Sequence, residues 1–213
     1  MYKELVLFDP TLSENDMREA IFLALKKNFS GISLSLASLQ TLKDFIPQGI
    51  VIACPIDFPD GISDLQSRNT LCLNALRRGA TSIDVVVPNH LIANKLVKKA
   101  KDDLLTKQQM CEDNGGTLRV AINYEDYSSE QIGIVIDLLA ELNIEYLIPS
   151  VKYHISVADQ ILTAHLMQKL YGDLKIILNA NINTQEHLDK LVKNRVFGFK
   201  LHSIYTLKSL YGV

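Results

Sequence analysis

Lys152, Lys200 and Asp84 are the residues whose types could do chemistry together. A lysine that is partly desolvated beside a second cation loses its proton more easily. The neutral amine can then attack a carbonyl carbon to form a Schiff base. A carboxylate nearby, here Asp84, can move protons at the carbinolamine step. Taken alone, a lysine at a strand exit is most often a surface group, so the reading depends on which elements bring the partners in.

Short apolar runs alternate with helical periodicity along the whole chain of 213 residues. Strands are expected at 4–8, 31–36, 49–56, 82–87, 117–123, 145–152, 174–179 and 196–201, bounded by Gly, Pro, Asn and Asp. Helices are expected between them and after the last. Ser13 or Asn15, Ser63 or Asp64, Ser128 or Ser129, and Thr184 are placed to cap four of them. One long helix is expected from Pro88-Asn89 to about Asn114, closed by Gly115-Gly116. Eight strands alternating with eight helices imply a parallel sheet with helical crossovers. Eight units point to a closed (β/α)8 TIM barrel, compact beside the roughly 250 residues typical of that fold. An open doubly wound sheet is the competitor, but no G-x-G-x-x-G follows the first strand. No linker or low-complexity segment divides the chain, so residues 1–213 read as one domain.

Alternation along the strands sorts their polar residues. Phe197, Phe199 and Leu201 form an apolar face for helix packing, which turns Gly198, Lys200 and His202 inward. Leu118, Val120 and Ile122 likewise turn Arg119 and Asn123 inward. Asp84 shares a face with Val86, and Lys152 shares one with Tyr146, Ile148 and Ser150. Leu5, Leu7 and Asp9 share a face, which adds Asp9 to the expected interior, although Asp9-Pro10 reads first as a turn. Unpaired charges inside a barrel are costly, so these groups are expected to pair or to serve a site. A purely structural network, with Asp84 satisfied by Arg119, is the bland version. His154 and Tyr153 are further loop residues that could face a substrate.

Composition narrows the function classes. Apolar residues make up 47% and charged residues 22%, and the formal net charge is −2. That balance disfavours a nucleic-acid-coating protein. No apolar run approaches a membrane span, and Met1 to Leu5 carry no signal-like core. Three widely spaced cysteines (Cys54, Cys72, Cys111) form no CxxC and read as reduced thiols of a cytoplasmic protein.

Several stretches, in order and at matching spacing, resemble the deoxyribose-phosphate aldolase family of class I aldolases. Asp9-Pro10-Thr11-Leu12 is similar to its D-H-T-L opening, with Pro10 in place of histidine. Residues 56–61 are similar to I-G-F-P-x-G, and residues 79–86 to G-A-x-E-I-D-M-V. Leu118-Arg119-Val120 resembles L-K-V, Val151-Lys152 stands at F-x-K-T-S, and Ile182-Asn183-Thr184 resembles the end of K-A-x-G-G-I-R-T. The resemblance implies a TIM barrel with Lys152 as Schiff-base lysine and Asp84 as proton-transfer acid. It implies reversible cleavage of 2-deoxyribose 5-phosphate to acetaldehyde and glyceraldehyde 3-phosphate, with no metal or other cofactor. A different small aldehyde or sugar, or a non-catalytic ligand-binding barrel, is the alternative. The family's second lysine falls on Ile177, its glycine pair on Ala180-Asn181, and its phosphate stretch on Lys200-Leu201-His202-Ser203. Lys200 is therefore expected either to replace the second lysine or to bind an anion at the rim with His202 and Ser203. Arg119, Asn123, Asn181 and Asp9 complete the expected substrate-binding set. A homo-oligomer is compatible with the sequence, which does not set the oligomeric state.

Overall fold

The computed structural model describes residues 1–152 and 154–212. Its strands are β1 (Tyr2–Leu7), β2 (Gly31–Leu34), β3 (Val51–Ile56), β4 (Ser82–Val86), β5 (Thr117–Ala121), β6 (Tyr146–Ile148), β7 (Lys175–Leu178) and β8 (Gly198–Leu201). They are all parallel and close into one barrel in chain order, with β8 paired to β1. The helices are α1 (Glu14–Lys26), α2 (Leu36–Leu42), α3 (Leu65–Arg77), α4 (Asn89–Ala93), α5 (Val97–Asp113), α6 (Ser129–Glu141), α7 (Val157–Leu170), α8 (Gln185–Lys193) and α9 (Ile204–Tyr211). The expected TIM barrel is the observed fold.

Local chemistry explains where the helices start. Ser13 and Ser128 each form a reciprocal capping box, with Asp16 and Gln131 respectively. Asp64, Ser156, Thr184 and Ser203 cap α3, α7, α8 and α9 with side-chain oxygens. The single helix expected over 89–114 is instead two, α4 and α5. Lys95 takes a left-handed φ of 55°, and the Leu96 N–H bonds back to Leu91 O at 2.8 Å, ending the first helix.

One face of each strand packs on the helices. Leu5, Leu7, Ile32, Ile83, Val85, Val120, Leu147, Phe199 and Leu201 belong to that apolar core. The opposite face fills the barrel. A second, smaller apolar group there contains Val86, Ala121, Ile148 and Ile177, with Tyr2, Phe58, Tyr146, Val151 and Phe197 against it. Phe197 was expected on the helix side. It precedes β8, and its ring lies 6.1 Å from Tyr2 and 5.9 Å from Tyr146. Gly198 makes room for this arrangement, because a Cβ there would stand 2.8 Å from the Tyr2 Cβ.

Candidate functional site

Four buried charges meet inside the barrel. Arg119 on β5 gives Asp84 its Nε at 2.5 Å and its Nη2 at 2.8 Å, and gives Glu4 its Nη1 at 2.7 Å. Lys200 on β8 contacts Glu4 at 2.6 Å and Asp84 at 2.5 Å. Tyr2 completes the group by donating to Glu4 at 2.5 Å and accepting from Arg119 at 3.0 Å. Two cations and two carboxylates are thus balanced where water is excluded. Burial alone would raise the Glu4 carboxyl, but Arg119 and Lys200 override it and hold Glu4 well below the usual carboxylate range. Burial works against the Arg119 charge, yet Asp84 and Glu4 raise Arg119 further still. The Tyr2 phenol is pushed up by burial and by Glu4.

The inward placement of Asp84, Arg119 and Lys200 matches the alternation of their strands. Glu4 was missed. Leu5 and Leu7 pack on the helices, so Glu4 and Val6 face inward. The rule that sorted β8 by its apolar face would have found Glu4 had it been applied to β1. Asp9 lies beyond β1 and is not interior. Its carboxylate accepts from the Thr11 N–H at 2.9 Å and the Thr11 hydroxyl at 2.6 Å, which also lower its pKa. It does border the rim cavity.

Lys152 departs furthest from expectation. β6 ends at Ile148 because Pro149 has no N–H to continue the ladder. Ser150 then accepts the Lys152 N–H on its Oγ at 3.0 Å and bends the chain. Alternation fails across that bend. Val151 turns to the rim cavity, while Lys152 reaches outward to Asp126 at 3.0 and 3.2 Å. The Lys152 side chain is 36% exposed and that of Asp126 58%. Its ammonium therefore meets neither Asp84 nor Lys200, whose carboxylate and amine contact each other. Asn123 is buried, as expected, but its amide is spent on Asp126 and on the Ser150 hydroxyl. Tyr153 lies outside the described residues, and His154 is exposed.

A cavity of about 650 Å³ opens at the C-terminal end of the barrel over β1, β7 and β8. Val6, Phe8, Phe58, Val151 and Ile182 give it an apolar wall, and Asn179, Asn181, His202, Ser203 and Thr206 give it polar groups. Lys200 borders it from below, so Lys200, His202, Ser203, Asn181 and Asp9 come together as expected, whereas Arg119, Asn123 and Lys152 do not line it. Asn179 is an addition. It is buried, hydrogen-bonds His202 Nε2, and donates to Ser150 O at 3.0 Å. Gln160 fixes its backbone from both sides, at 2.6 and 2.9 Å. Burial, aided by Lys200, pushes the His202 imidazole down to about 3, so it is neutral near pH 7. Ser203 also accepts the Thr206 N–H as the cap of α9.

Phe58 is held in place from outside the barrel. Asp57, at a left-handed φ of 61°, accepts from Arg68 at 2.5 Å and from the Ser63 hydroxyl at 2.6 Å. Arg68 is itself buried and also donates to Asp103 at 3.0 Å and Val86 O at 2.6 Å, with Lys107 on the far side of Asp103. Among the described residues, no three His, Cys, Asp or Glu side chains converge as metal ligands. Among the described residues, no helix is long and apolar enough to cross a membrane.

No protein-family model matches the chain, and no curated protein matches it by sequence. Solved structures do match in fold. An aldolase termed QR15 superposes with a TM-score of 0.82 at 14% identity, over 100% of this chain and 92% of that one. A tetrameric deoxyribose phosphate aldolase from Aeropyrum pernix gives 0.81 at 15% identity, over 96% and 87%. A putative deoxyribose-phosphate aldolase from Coccidioides immitis gives 0.81 at 14%, over 93% and 79%. The chain thus shares its barrel fold, along nearly its whole length, with solved structures of an aldolase and of deoxyribose-phosphate aldolases.

Proposed function

We propose that the chain is a ligand-binding barrel whose rim cavity receives a small, uncharged, hydroxylated compound such as a free sugar or hydroxyaldehyde, without forming a Schiff base. The arrangement of Lys200 carries this reading. Among the described residues it is the one amine bordering the cavity, and two buried carboxylates hold it at 2.5 and 2.6 Å. Both contacts tie that nitrogen down inside the barrel, whereas the nucleophile of a Schiff-base enzyme must be unprotonated and able to reach a carbonyl carbon. The position aligned with the second family lysine is Ile177, which packs with Val86, Ala121 and Ile148.

The same charge balance bears on the ligand. Lys200 and Arg119 are matched by Glu4 and Asp84, and His202 is neutral. The amino end of α9 opens on the cavity, but Ser203 already accepts one of its N–H groups, and the Asp9 carboxylate borders the same space. A phosphate dianion would meet no uncompensated side-chain cation among the described lining residues. Amides and hydroxyls at Asn179, Asn181, Ser203 and Thr206 suit hydroxyl groups.

A second reading rests on Lys152. Its partner Asp126 is exposed, and an exposed ion pair is worth about 0–1 kcal/mol, so the ammonium leaves it cheaply. Together with the aldolase-like barrel, this supports a class I aldolase with Lys152 as Schiff-base residue, Asp84 as proton carrier and deoxyribose 5-phosphate as substrate. Borohydride trapping separates the two. Acetaldehyde, glyceraldehyde and glyceraldehyde 3-phosphate are each incubated with the chain and reduced, and the products are read by intact mass and peptide mapping. No site-specific adduct, combined with binding of the free sugars by NMR, supports the binding barrel. A substrate-dependent adduct on Lys152 or Lys200 overturns it in favour of the aldolase. Binding confined to the phosphorylated compounds overturns the uncharged-ligand assignment.

A further inference from the structure

The outward face of α7 carries a row of exposed leucines. Val157, Ile161, Ala164 and Met167 pack into the core. On the other side Leu162, Leu166 and Leu170 are 61%, 53% and 64% exposed, and Ala158 is exposed one turn before them. An exposed apolar row of this kind marks an interaction surface. Residues four apart form one ridge, so Ala158, Leu162, Leu166 and Leu170 make a continuous row along the helix.

The order of residues along that row points to its occupant. Ala158 and Leu170 lie at equal distances from position 164, and so do Leu162 and Leu166. The two charges on the same face, Asp159 and Lys169, are also symmetric about 164, and both are exposed. At 100° per residue all six fall within a sector of about 120°. We propose that α7 packs antiparallel on α7 of a second copy of this chain, across a twofold axis that crosses the exposed face at the level of residue 164.

That pairing sets Leu162 against the partner's Leu166, and the small Ala158 against the partner's Leu170. It sets Asp159 against the partner's Lys169, and each of these contacts occurs twice. A patch that is its own complement under a twofold rotation is what an isologous dimer requires. A helix of 14 residues is about 21 Å long. One such pair is small beside the roughly 1,200–2,000 Å² of a stable interface, so the dimer is reversible and concentration-dependent. α7 lies outside the barrel, and the inference is independent of what the rim cavity binds.

Sedimentation velocity on the full chain, from low to high micromolar concentration, tests it. A monomer shifting to a dimer is expected. Leu166→Glu should weaken association about tenfold or more, because it puts a carboxylate at the centre of the buried row. Lys169→Asp should weaken it by apposing like charges, and Asp159→Lys with Lys169→Asp in one chain should restore it. The substituted positions are exposed, and far-UV circular dichroism with a thermal melt verifies that each variant keeps its fold. The Asp159 carboxylate accepts the Ser156 hydroxyl at 2.6 Å, so that control matters most for the double variant. Leu162→Cys and Leu166→Cys each add one exposed cysteine to the three buried ones, and the two variants, mixed, should cross-link to one another on oxidation. A chain that stays monomeric throughout, or a dimer indifferent to Leu166→Glu, overturns the proposal.

Discussion

Replacing Lys200 by Met removes one of the four charges inside the barrel and leaves the shape of its stem. In the native chain Lys200 and Arg119 face Glu4 and Asp84, and the carboxylate side chains are completely buried. The variant leaves one guanidinium between two carboxylates, a net charge of −1 with no access to water. Breaking a buried pair from one side costs about 3–5 kcal/mol. For a chain of this size that lowers the melting temperature by roughly 6–20 °C. The pH dependence follows from Glu4. Its folded-state pKa is held below the unfolded value of about 4.3, so its stabilisation is present above that pH and is lost as pH falls through the folded value. Without Lys200 the folded value rises, and Glu4 takes up a proton sooner. The deficit of Lys200→Met should therefore be largest near neutral pH and narrow on acidification. Adding Glu4→Gln restores the charge balance, so the double variant should be more stable than Lys200→Met alone. Urea unfolding of all three chains at several pH values measures this. A loss below about 1 kcal/mol at neutral pH, the size of a surface pair, would refute the coupling, as would a deficit that does not change with pH.

Four further outcomes are expected. The His202 imidazole stays neutral through the physiological range, because its folded pKa is pushed to about 3. The unfolded chain takes a proton there from about pH 6.5 downward, so stability should decline as pH falls below that value. An NMR titration placing the His202 midpoint near 6.5 would contradict it. Arg68→Met should cost about 3–5 kcal/mol in chemical denaturation, since it removes the buried guanidinium shared by the Asp103 and Asp57 carboxylates; a near-neutral effect would remove Arg68 as the anchor of the Phe58 loop. Gly61→Ala should cost more than about 1 kcal/mol, because φ is +63° and a Cβ would stand 2.5 Å from Val87 O; an unchanged unfolding midpoint would mean that the loop relaxes freely. Lys152→Ala should change stability by less than about 1 kcal/mol, its ion pair being exposed; a larger loss in thermal melts would place its ammonium in a tighter contact than Asp126 offers.

Local rules carried the reading far. Periodicity and turn residues placed eight strands and most helices, because each element's pattern is written within ten or so neighbouring residues. Ser13, Asp64, Ser128 and Thr184 cap the helices they were expected to cap, since a cap needs only its own first turn. Alternation alone turned Asp84, Arg119 and Lys200 inward. Applied to β1, the same rule turns Glu4 inward and leaves Asp9 on the other side; what alternation could not supply was the place where a strand stops. β6 ends at Ile148, four residues short of the expected end at Lys152, because Pro149 breaks the ladder and Ser150 captures the Lys152 amide. That single bend sends Val151 to the cavity and Lys152 away from it.

The partners of Lys200 were decided by closure. β1 and β8 lie at opposite ends of the chain, and only their pairing sets Glu4 beside Lys200 in register. The pairing of β4 with β5 sets Asp84 beside Arg119. The sequence by itself determined which side chains turn into the barrel, through the period of two that every strand obeys. The tertiary structure decided which of them meet. Contacts across a closed barrel depend on strand register and on where each strand ends, and neither is encoded in any one segment.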